Sequence, residues 1–154
     1  MTSNERGSVL ILMPVAVLVF IILGALAVDH TVAFMGERAL ANASAAAANN
    51  AAGAGLHQGD FYGGTGAVVD PVDASVIAQQ TVDAQRLSGV ENISVTTTVD
   101  GSQVTVRVVG QVNTIFSRAI PGGPQTFSVD AVSTASAEVP IEPVATLPTG
   151  SPNP

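Results

Sequence analysis

An uncharged apolar segment close to the N-terminus, residues 9–28, constrains this chain more than any other feature. The segment reads VLILMPVAVLVFIILGALAV and contains 20 residues without a charge. A helix of that length is about 30 Å long, which matches the hydrocarbon core of a bilayer. We therefore expect residues 9–28 to form a transmembrane helix, with residues 1–8 as a short cytoplasmic N-terminus.

A cleaved secretory signal is the alternative interpretation of this segment. Ala25-Leu26-Ala27 has the small-x-small form that signal peptidase accepts. Signal peptides, however, usually have an apolar core of about 7 to 15 residues behind a clearly basic start. Here the apolar run is longer and Glu5 offsets Arg6. The length therefore favours a retained anchor.

Charges on the two sides of the anchor predict its orientation. Arg6 and the amino terminus precede the apolar run, whereas Asp29 and Glu37 follow it. By the positive-inside rule, the N-terminus should be cytoplasmic and the C-terminal domain extracytoplasmic. The chain is thus predicted to be a single-pass protein of the cell membrane, and membrane lipid is its first expected partner.

Composition excludes several classes of partner and site. The net charge is −7, from 12 carboxylates and 5 arginines, and such a surface repels phosphate backbones. Nucleic acid is therefore not expected as a partner. The absence of cysteine removes disulfides and thiolate metal sites. Aromatic residues make up only 4% of the chain, so the anchors that usually dominate tight interfaces are few.

The anchor helix is expected to continue beyond the membrane. Residues 39–56, ALANASAAAANNAAGAGL, are rich in alanine, which has the highest helix propensity. Gly53 and Gly55 predict a helix end near Ala52. Residues 29–56 are therefore predicted to be an Ala-rich helical extension. A flexible linker is the alternative, but linkers are rich in glycine, serine and proline rather than alanine.

A second, shorter helix is predicted after a glycine-containing loop at residues 57–70. Asp70 is the expected N-cap, Pro71 suits the first helical position, and Gly89 suits the position just past the end. The loop lacks the spaced glycines and the Lys-Ser/Thr pair of a phosphate-binding loop. The apolar positions expected to face the core are Val72, Val76, Ile77, Val82 and Leu87.

From Val90 onward the hydrophobic pattern has a period of two, which predicts strands. The first strand covers residues 92–99, Asp100-Gly101 is a hairpin signal, and the return strand covers residues 103–116. A third strand is predicted over residues 125–138, after the break at Pro121-Gly-Gly-Pro124. The apolar positions expected on one sheet face are Ile93, Val95, Val99, Val104, Val106, Val108 and Val112.

The predicted fold class is α+β and pilin-like. It comprises a long N-terminal transmembrane helix continuing into the Ala-rich helix, a short second helix, and an antiparallel sheet of three to four strands. Residues 57–139 form the extracytoplasmic α+β domain, whose apolar sheet face needs the two helices as a cover. Residues 140–154 contain five of the nine prolines and are expected to be disordered.

No residue is predicted to be catalytic or to hold a metal ion or a cofactor. His30 and His57 have no second ligand at metal spacing. The pair Asp29-His30 lacks the serine in a strained turn that a catalytic triad would need. Asp70 and Asp73 are spaced like calcium ligands, but the remaining acids are missing, so helix capping is the predicted role. No small-molecule substrate is expected.

The order of these segments resembles a known bacterial family. Glu5-Arg6-Gly7 precedes an apolar helix that ends in Ala27-Val28-Asp29, and a small-residue run follows at residues 39–52. A Val/Thr hairpin, the segment Phe116-Ser117-Arg118 and a Ser/Ala strand at residues 128–138 close the pattern. This order resembles the TadE/TadG-like pilus-assembly proteins of the Flp (Tad) system, of actinobacterial type, which are minor pilins or pseudopilins. The resemblance covers roughly residues 5–138.

The resemblance implies a processing site at the bond Gly7-Ser8. Prepilin peptidases that act on pilin-like proteins cut after a glycine, and the fifth residue beyond is typically glutamate. Here that residue is Leu12, and no acid lies anywhere in the apolar run. The TadG-like branch, in which such processing is less regular, therefore fits better than a major pilin.

Two functions of different classes are compatible with these features. The first is a membrane-anchored structural or assembly component, minor pilin or pseudopilin-like, of a Flp/Tad-type pilus or related secretion apparatus. The alternative is a single-span envelope protein whose acidic extracytoplasmic domain binds another exported protein, unrelated to pili. An enzyme is not expected.

Small residues in the anchor predict how it contacts other proteins. Gly24, Ala25 and Ala27 allow close approach of a second helix, which drives helix association in lipid. The same surface continues into residues 39–52, so other pilus or secretion membrane proteins, or a second copy of the chain, are the expected partners. For residues 39–52 the alternative is that the alanines pack on the chain's own sheet.

Overall fold

The computed structural model describes residues 6–54 and 68–137, with side chains from residue 12 onward. Within these residues the chain has a long apolar N-terminal helix, a short second helix and a three-stranded antiparallel sheet, which confirms the predicted α+β arrangement. The elements are α1 (Arg6–Ala54), α2 (Pro71–Ala84), β1 (Glu91–Asp100), β2 (Gln103–Asn113), a 3-10 helix (Ser117–Ala119) and β3 (Thr126–Ser136). The tail at residues 140–154 and most of the loop at residues 57–70 lie outside the described residues.

The first helix, α1, is continuous over 49 residues. It ends at Ala54, close to the predicted end, because Gly53 weakens the last turn. Side chains from Leu12 to Val28 are almost all exposed, and among the large apolar ones Phe20 is the most exposed at 77%. Among the described residues, α1 is the helix long and apolar enough to cross a membrane. Its apolar half therefore projects from the rest of the molecule.

The second half of α1 packs against the sheet and against α2 through small side chains. The buried residues of this face are Leu40, Ala43, Ser44, Ala47, Ala48, Ala51 and Ala52. The alternative for the alanines of residues 39–52 is therefore correct, because these side chains pack on the chain's own sheet and second helix. The predicted partner surface does not continue along this buried face. We call residues 29–54 and 68–137 together the head domain.

The three strands form one antiparallel sheet in the order β1-β2-β3. The predicted core positions of the return strand are confirmed: Val104, Val106, Val108 and Val112 are at most 2% exposed. Asp100 pairs with Gln103, so the central turn residues are Gly101 and Ser102 rather than Asp100 and Gly101. Gly101 has a φ of +61°, which explains the requirement for glycine there.

Strands β2 and β3 differ slightly from their predicted extent. The return strand ends at Asn113 rather than near residue 116, because the chain then turns into the 3-10 helix. β3 begins at Thr126 and ends at Ser136, within the predicted residues 125–138. Three strands are present in the described residues, and α1 and α2 cover their apolar face as predicted.

Contacts between α1 and the sheet show how the two are aligned. A Cβ added at Gly110 would contact Leu40, and one added at Gly36 would contact Val112, so β2 runs antiparallel to α1. β3 therefore runs parallel to it, since the His30 ring contacts Phe127 and the Ser44 hydroxyl contacts Ser133. The helical steps from His30 to Ser44 span about 21 Å. The strand steps from Phe127 to Ser133 span about 20 Å, so helix and strand axes nearly coincide in direction.

The second helix is shorter than predicted and buries a different face. It ends at Ala84, and Gly89, with a φ of +82°, turns the chain toward β1 instead of ending the helix. The predicted stripe is wrong at Val72 and Val76, which are 69% and 48% exposed. The buried residues are Ala74, Ala78 and Val82. Small side chains face the core because α2 lies close to the alanine face of α1.

Asp70 begins α2 as predicted. Its Oδ1 atom accepts hydrogen bonds from the backbone N–H groups of Val72 (2.7 Å) and Asp73 (3.1 Å), and Pro71 occupies the first helical position. These bonds satisfy two of the donors that a helix N-terminus leaves free. The role predicted for Asp70 in helix capping is therefore confirmed.

Candidate functional site

Asp29, the first residue after the apolar run, is buried although it lies next to the proposed anchor. Its side chain is 2% exposed. Oδ1 accepts hydrogen bonds from the N–H groups of Ile115 (2.8 Å) and Phe116 (3.0 Å). Oδ2 accepts hydrogen bonds from the N–H (2.7 Å) and the hydroxyl group of Ser117. Four donors thus occupy the roughly four acceptor positions of a carboxylate.

Three of these donors are consecutive backbone N–H groups at the start of the 3-10 helix. Such groups form a concave site for an anion because their partial positive charges point the same way. Phe116, the residue before this helix, has no side-chain cap of its own. Asp29 therefore caps the 3-10 helix from a position 88 residues earlier in the chain than Ser117.

The segment that contacts Asp29 is held in shape by further bonds. We call residues 114–125, which connect β2 to β3, the β2–β3 loop. The Thr114 hydroxyl donates to the carbonyl groups of Pro124 (2.8 Å) and Gln125 (3.1 Å). Gly123 donates to the carbonyl of Ile120 (2.8 Å), and a Cβ at Gly123 would collide with the backbone oxygen of Ser117. These bonds hold the two ends of the loop together, in addition to the four hydrogen bonds that Asp29 accepts from it.

The hydrogen bonds keep Asp29 ionised. The Ser117 hydroxyl, followed by the Phe116 N–H, holds the pKa of this carboxyl well below its usual value, in spite of the opposing effect of burial. The ion pair found among the described residues joins Arg107 and Asp130 on the exposed sheet face and does not involve Asp29. Neutral donors, and not a cation, therefore stabilise the charge of Asp29.

Such a carboxylate is suited to structural support and not to proton transfer. All its acceptor positions are occupied, and its depressed pKa makes it a weak base. His30 does not join it in a catalytic pair: the His30 ring is stacked on Phe127, with 6.1 Å between centroids. His57 lies outside the described residues. The described residues contain no group of three His, Cys, Asp or Glu that could hold a metal ion.

The candidate packing residues lie on the projecting half of α1. Gly24 and Ala27 are exposed and Ala25 is half-buried, and a Cβ added at Gly24 would meet nothing within 4 Å. This part of the helix is therefore open to a second helix. Gly7 and Ser8, the candidate processing residues, fall in the first turn of α1, and their side chains are not among those described.

A shallow groove between α1 and α2 is a further concave surface of the head domain. Its lining is mainly polar and small, with Asn49, Asn50, Gln80, Thr81 and Gln85 among its side chains. The Asn50 side chain donates to the Thr81 hydroxyl across it at 3.3 Å. The groove is wide open and has no charged side chain, so it offers no built site for an ionic ligand.

The sequence interpretation missed the structural role of Asp29. Asp29 served there as a flanking charge that indicates orientation, as half of the pair Asp29-His30 and as the end of a motif, but no partner was predicted for its side chain. A usable signal was present, because a carboxylate at the end of an apolar run is costly unless it has partners. The motifs Ala27-Val28-Asp29 and Phe116-Ser117-Arg118 carried the family resemblance, and the structure brings these two motifs into contact.

No family model, curated protein or solved structure matches this chain.

Proposed function

We propose that this protein is a membrane-anchored structural or assembly component of a Flp/Tad-type pilus or related secretion apparatus, similar to a minor pilin or pseudopilin. The observation that carries the proposal is α1, whose apolar first half projects from a head domain built on its second half. A helix of this kind presents a membrane anchor and a folded domain on one continuous rod. The order of motifs given above supports the same class.

The proposal places the protein in the cell membrane with its N-terminus in the cytoplasm. The charge distribution around residues 9–28 supports this orientation. The chain has no cysteine, so a single introduced thiol reports its own location. Ser128→Cys, on the exposed face of β3, should react with a membrane-impermeant maleimide in intact cells from which any wall has been removed. Ser3→Cys should react only after the cells are lysed, and the reverse pattern would contradict the orientation.

Partner contact through the anchor is the second part of the proposal. Gly24 is exposed with open space around it, and small residues permit the close backbone approach that associates helices in lipid. Residues two apart on a helix lie about 200° from each other. Leu26, which is 43% exposed, is therefore a matched control on the opposite face.

A photo-cross-linker attached to single thiols tests this contact in native membranes. Val28→Cys, one turn from Gly24 on the same face and 40% exposed, keeps the glycine in place. Carrying benzophenone maleimide, it should cross-link to a second copy or to a single-span pilus or secretion protein, identified by mass spectrometry. Leu26→Cys should give markedly less of the same product. Cross-linking of both variants only to lipid, with pilus assembly unchanged after deletion of the protein, would refute the proposal.

We also propose that the protein performs no catalysis. The buried carboxylate of the head domain is saturated with hydrogen bonds, and His30 is stacked on an aromatic ring.

The alternative function, an envelope protein that binds another exported protein, predicts a different result in the cross-linking experiment. Its partner would be cross-linked from positions on the head domain and not from Val28.

A further inference from the structure

We propose that the β2–β3 loop, residues 114–125, rests on the lipid surface and inserts the side chains of Ile115, Phe116 and Ile120 into the bilayer interface. This inference rests on the proposed membrane anchor. It adds a second, independent contact with lipid, made by the head domain itself. The occupant of the exposed apolar surface of the loop is thus a phospholipid bilayer and not another protein.

The loop lies at the end of the sheet that is nearest to the proposed membrane anchor. β2 approaches the anchor stepwise: Gly110 lies by Leu40, Val112 by Gly36, and Ile115 by Asp29. Asp29 directly follows the last apolar residue of the anchor. The polar interface of a bilayer is about 5 to 7 Å thick on each side of the hydrocarbon core. Backbone groups bonded to Asp29 therefore lie in, or at the border of, this layer.

The side chains of the loop have the chemistry of an interfacial segment. Ile115, Phe116 and Ile120 are 49%, 45% and 57% exposed, which is high for large apolar residues clustered within six positions. The loop reads TIFSRAIPGGPQ and contains no carboxylate, although the chain as a whole has a net charge of −7. Its charged residue is Arg118, which is exposed and suits lipid phosphate.

The hydrogen bonds to Asp29 make the loop rigid enough for this role. The inward-facing polar groups, the N–H groups of residues 115–117, are satisfied by the carboxylate. Unpaired backbone donors would be costly near hydrocarbon. With those groups paired, the loop can present apolar side chains to lipid without exposing these N–H groups to it.

Tryptophan fluorescence tests the proposal directly, because the native chain contains no tryptophan. Three single-tryptophan variants of the full chain are reconstituted in phosphatidylcholine vesicles with brominated acyl chains, which quench nearby tryptophan. Phe116→Trp reports the loop. Val132→Trp is the matched control, since Val132 is 57% exposed and lies about 17 Å further along β3 than Phe127. Phe20→Trp reports the anchor.

We expect strong quenching of Phe20→Trp, at least threefold stronger quenching of Phe116→Trp than of Val132→Trp, and blue-shifted emission from Phe116→Trp. Ile120→Trp provides a second loop reporter if Phe116→Trp does not fold. Quenching of the loop variants no stronger than that of Val132→Trp, while Phe20→Trp is quenched, would overturn the inference and leave the anchor standing. A blue shift without quenching would indicate a protein neighbour and would also overturn it. Unquenched Phe20→Trp would reject the anchor itself.

Discussion

Gly36 of α1 lies so close to Val112 of β2 that a Cβ added at Gly36 would come within 2.5 Å of the Val112 side chain. Of the glycines of α1 from residue 12 onward, Gly36 is the one at which an added Cβ would come closest to the sheet. Glycine is normally unfavourable inside a helix by about 1 kcal/mol relative to alanine. Its presence at Gly36 therefore reflects the short distance between helix and sheet.

The first prediction follows from this contact. Gly36→Ala should lower the free energy of unfolding by up to about 2 kcal/mol, because overpacking costs about 1 to 3 kcal/mol and the gain in helix propensity offsets about 1 kcal/mol of it. Gly53→Ala is the matched control, since a Cβ there meets nothing within 4 Å. Guanidinium unfolding followed by circular dichroism measures both. Equal stability of the two variants would contradict the close contact.

The second prediction concerns the charge of Asp29. Asp29→Asn should lower the melting temperature at pH 7, because the amide presents an N–H₂ group to donors that need an acceptor. Thermal unfolding of the wild type and of the variant over a range of pH measures the effect. Asp29→Glu keeps the charge but displaces it, and should be intermediate.

The pH dependence of that effect has a defined sign. The pKa of folded Asp29 lies well below the value of about 3.9 expected in the unfolded chain. The stabilising contribution is therefore complete above about pH 4 and is lost as the pH falls from there through the folded-state pKa. The difference in melting temperature between wild type and Asp29→Asn should be constant from about pH 5 to 8 and shrink below about pH 4. A difference that grows in acid would contradict this role.

The third prediction tests which face of α2 is buried. Ala78 is fully buried, whereas Val76, two positions away, is 48% exposed. Ala78→Val should cost about 1 to 3 kcal/mol through overpacking. Val76→Ala should change the free energy of unfolding by no more than about 0.5 kcal/mol. Denaturant midpoints give both values, and the opposite ranking would restore the stripe predicted from the sequence.

The fourth prediction concerns the pair of serines between α1 and β3. The hydroxyl groups of Ser44 and Ser133 lie 2.8 Å apart, and Ser44 is fully buried. Either single change to alanine should cost about 1 kcal/mol. The double variant should cost less than the sum of the two single variants by about 0.5 to 1.5 kcal/mol. Additive effects would show that the two hydroxyls do not interact.

Most of the secondary structure followed from local signals in the sequence. The alanine run, the Asp70-Pro71 start and the alternating valines of β2 each depend on short-range chemistry, namely helix propensity, capping and the two-residue period of a strand. The one apolar face of the sheet also implied a helical cover. These features were predictable because few residues decide each of them.

Other features depended on tertiary contacts that no local pattern contains. Val72 and Val76 are more apolar than Ala74 and Ala78, yet the alanines face the core because only small residues fit between α1 and α2. The partners of Asp29 lie 86 to 88 residues away, in a segment that the sequence pattern assigns to the end of the return strand. Hydrophobicity scales give larger apolar side chains higher values, whereas the short distance between α1 and α2 requires small side chains.

The unbroken course of α1 past Asp29 has a mechanical consequence. No hinge separates the buried half of the helix from the apolar half, and the bonds of Asp29 tie the sheet to the rod at their junction. The helix extends about 38 Å from Asp29 to Ala54, so a tilt of about 10° would carry its far end sideways by roughly 7 Å. A lateral force on the distal end of the head domain therefore acts as a torque on the apolar half of α1, because no flexible segment lies between the two.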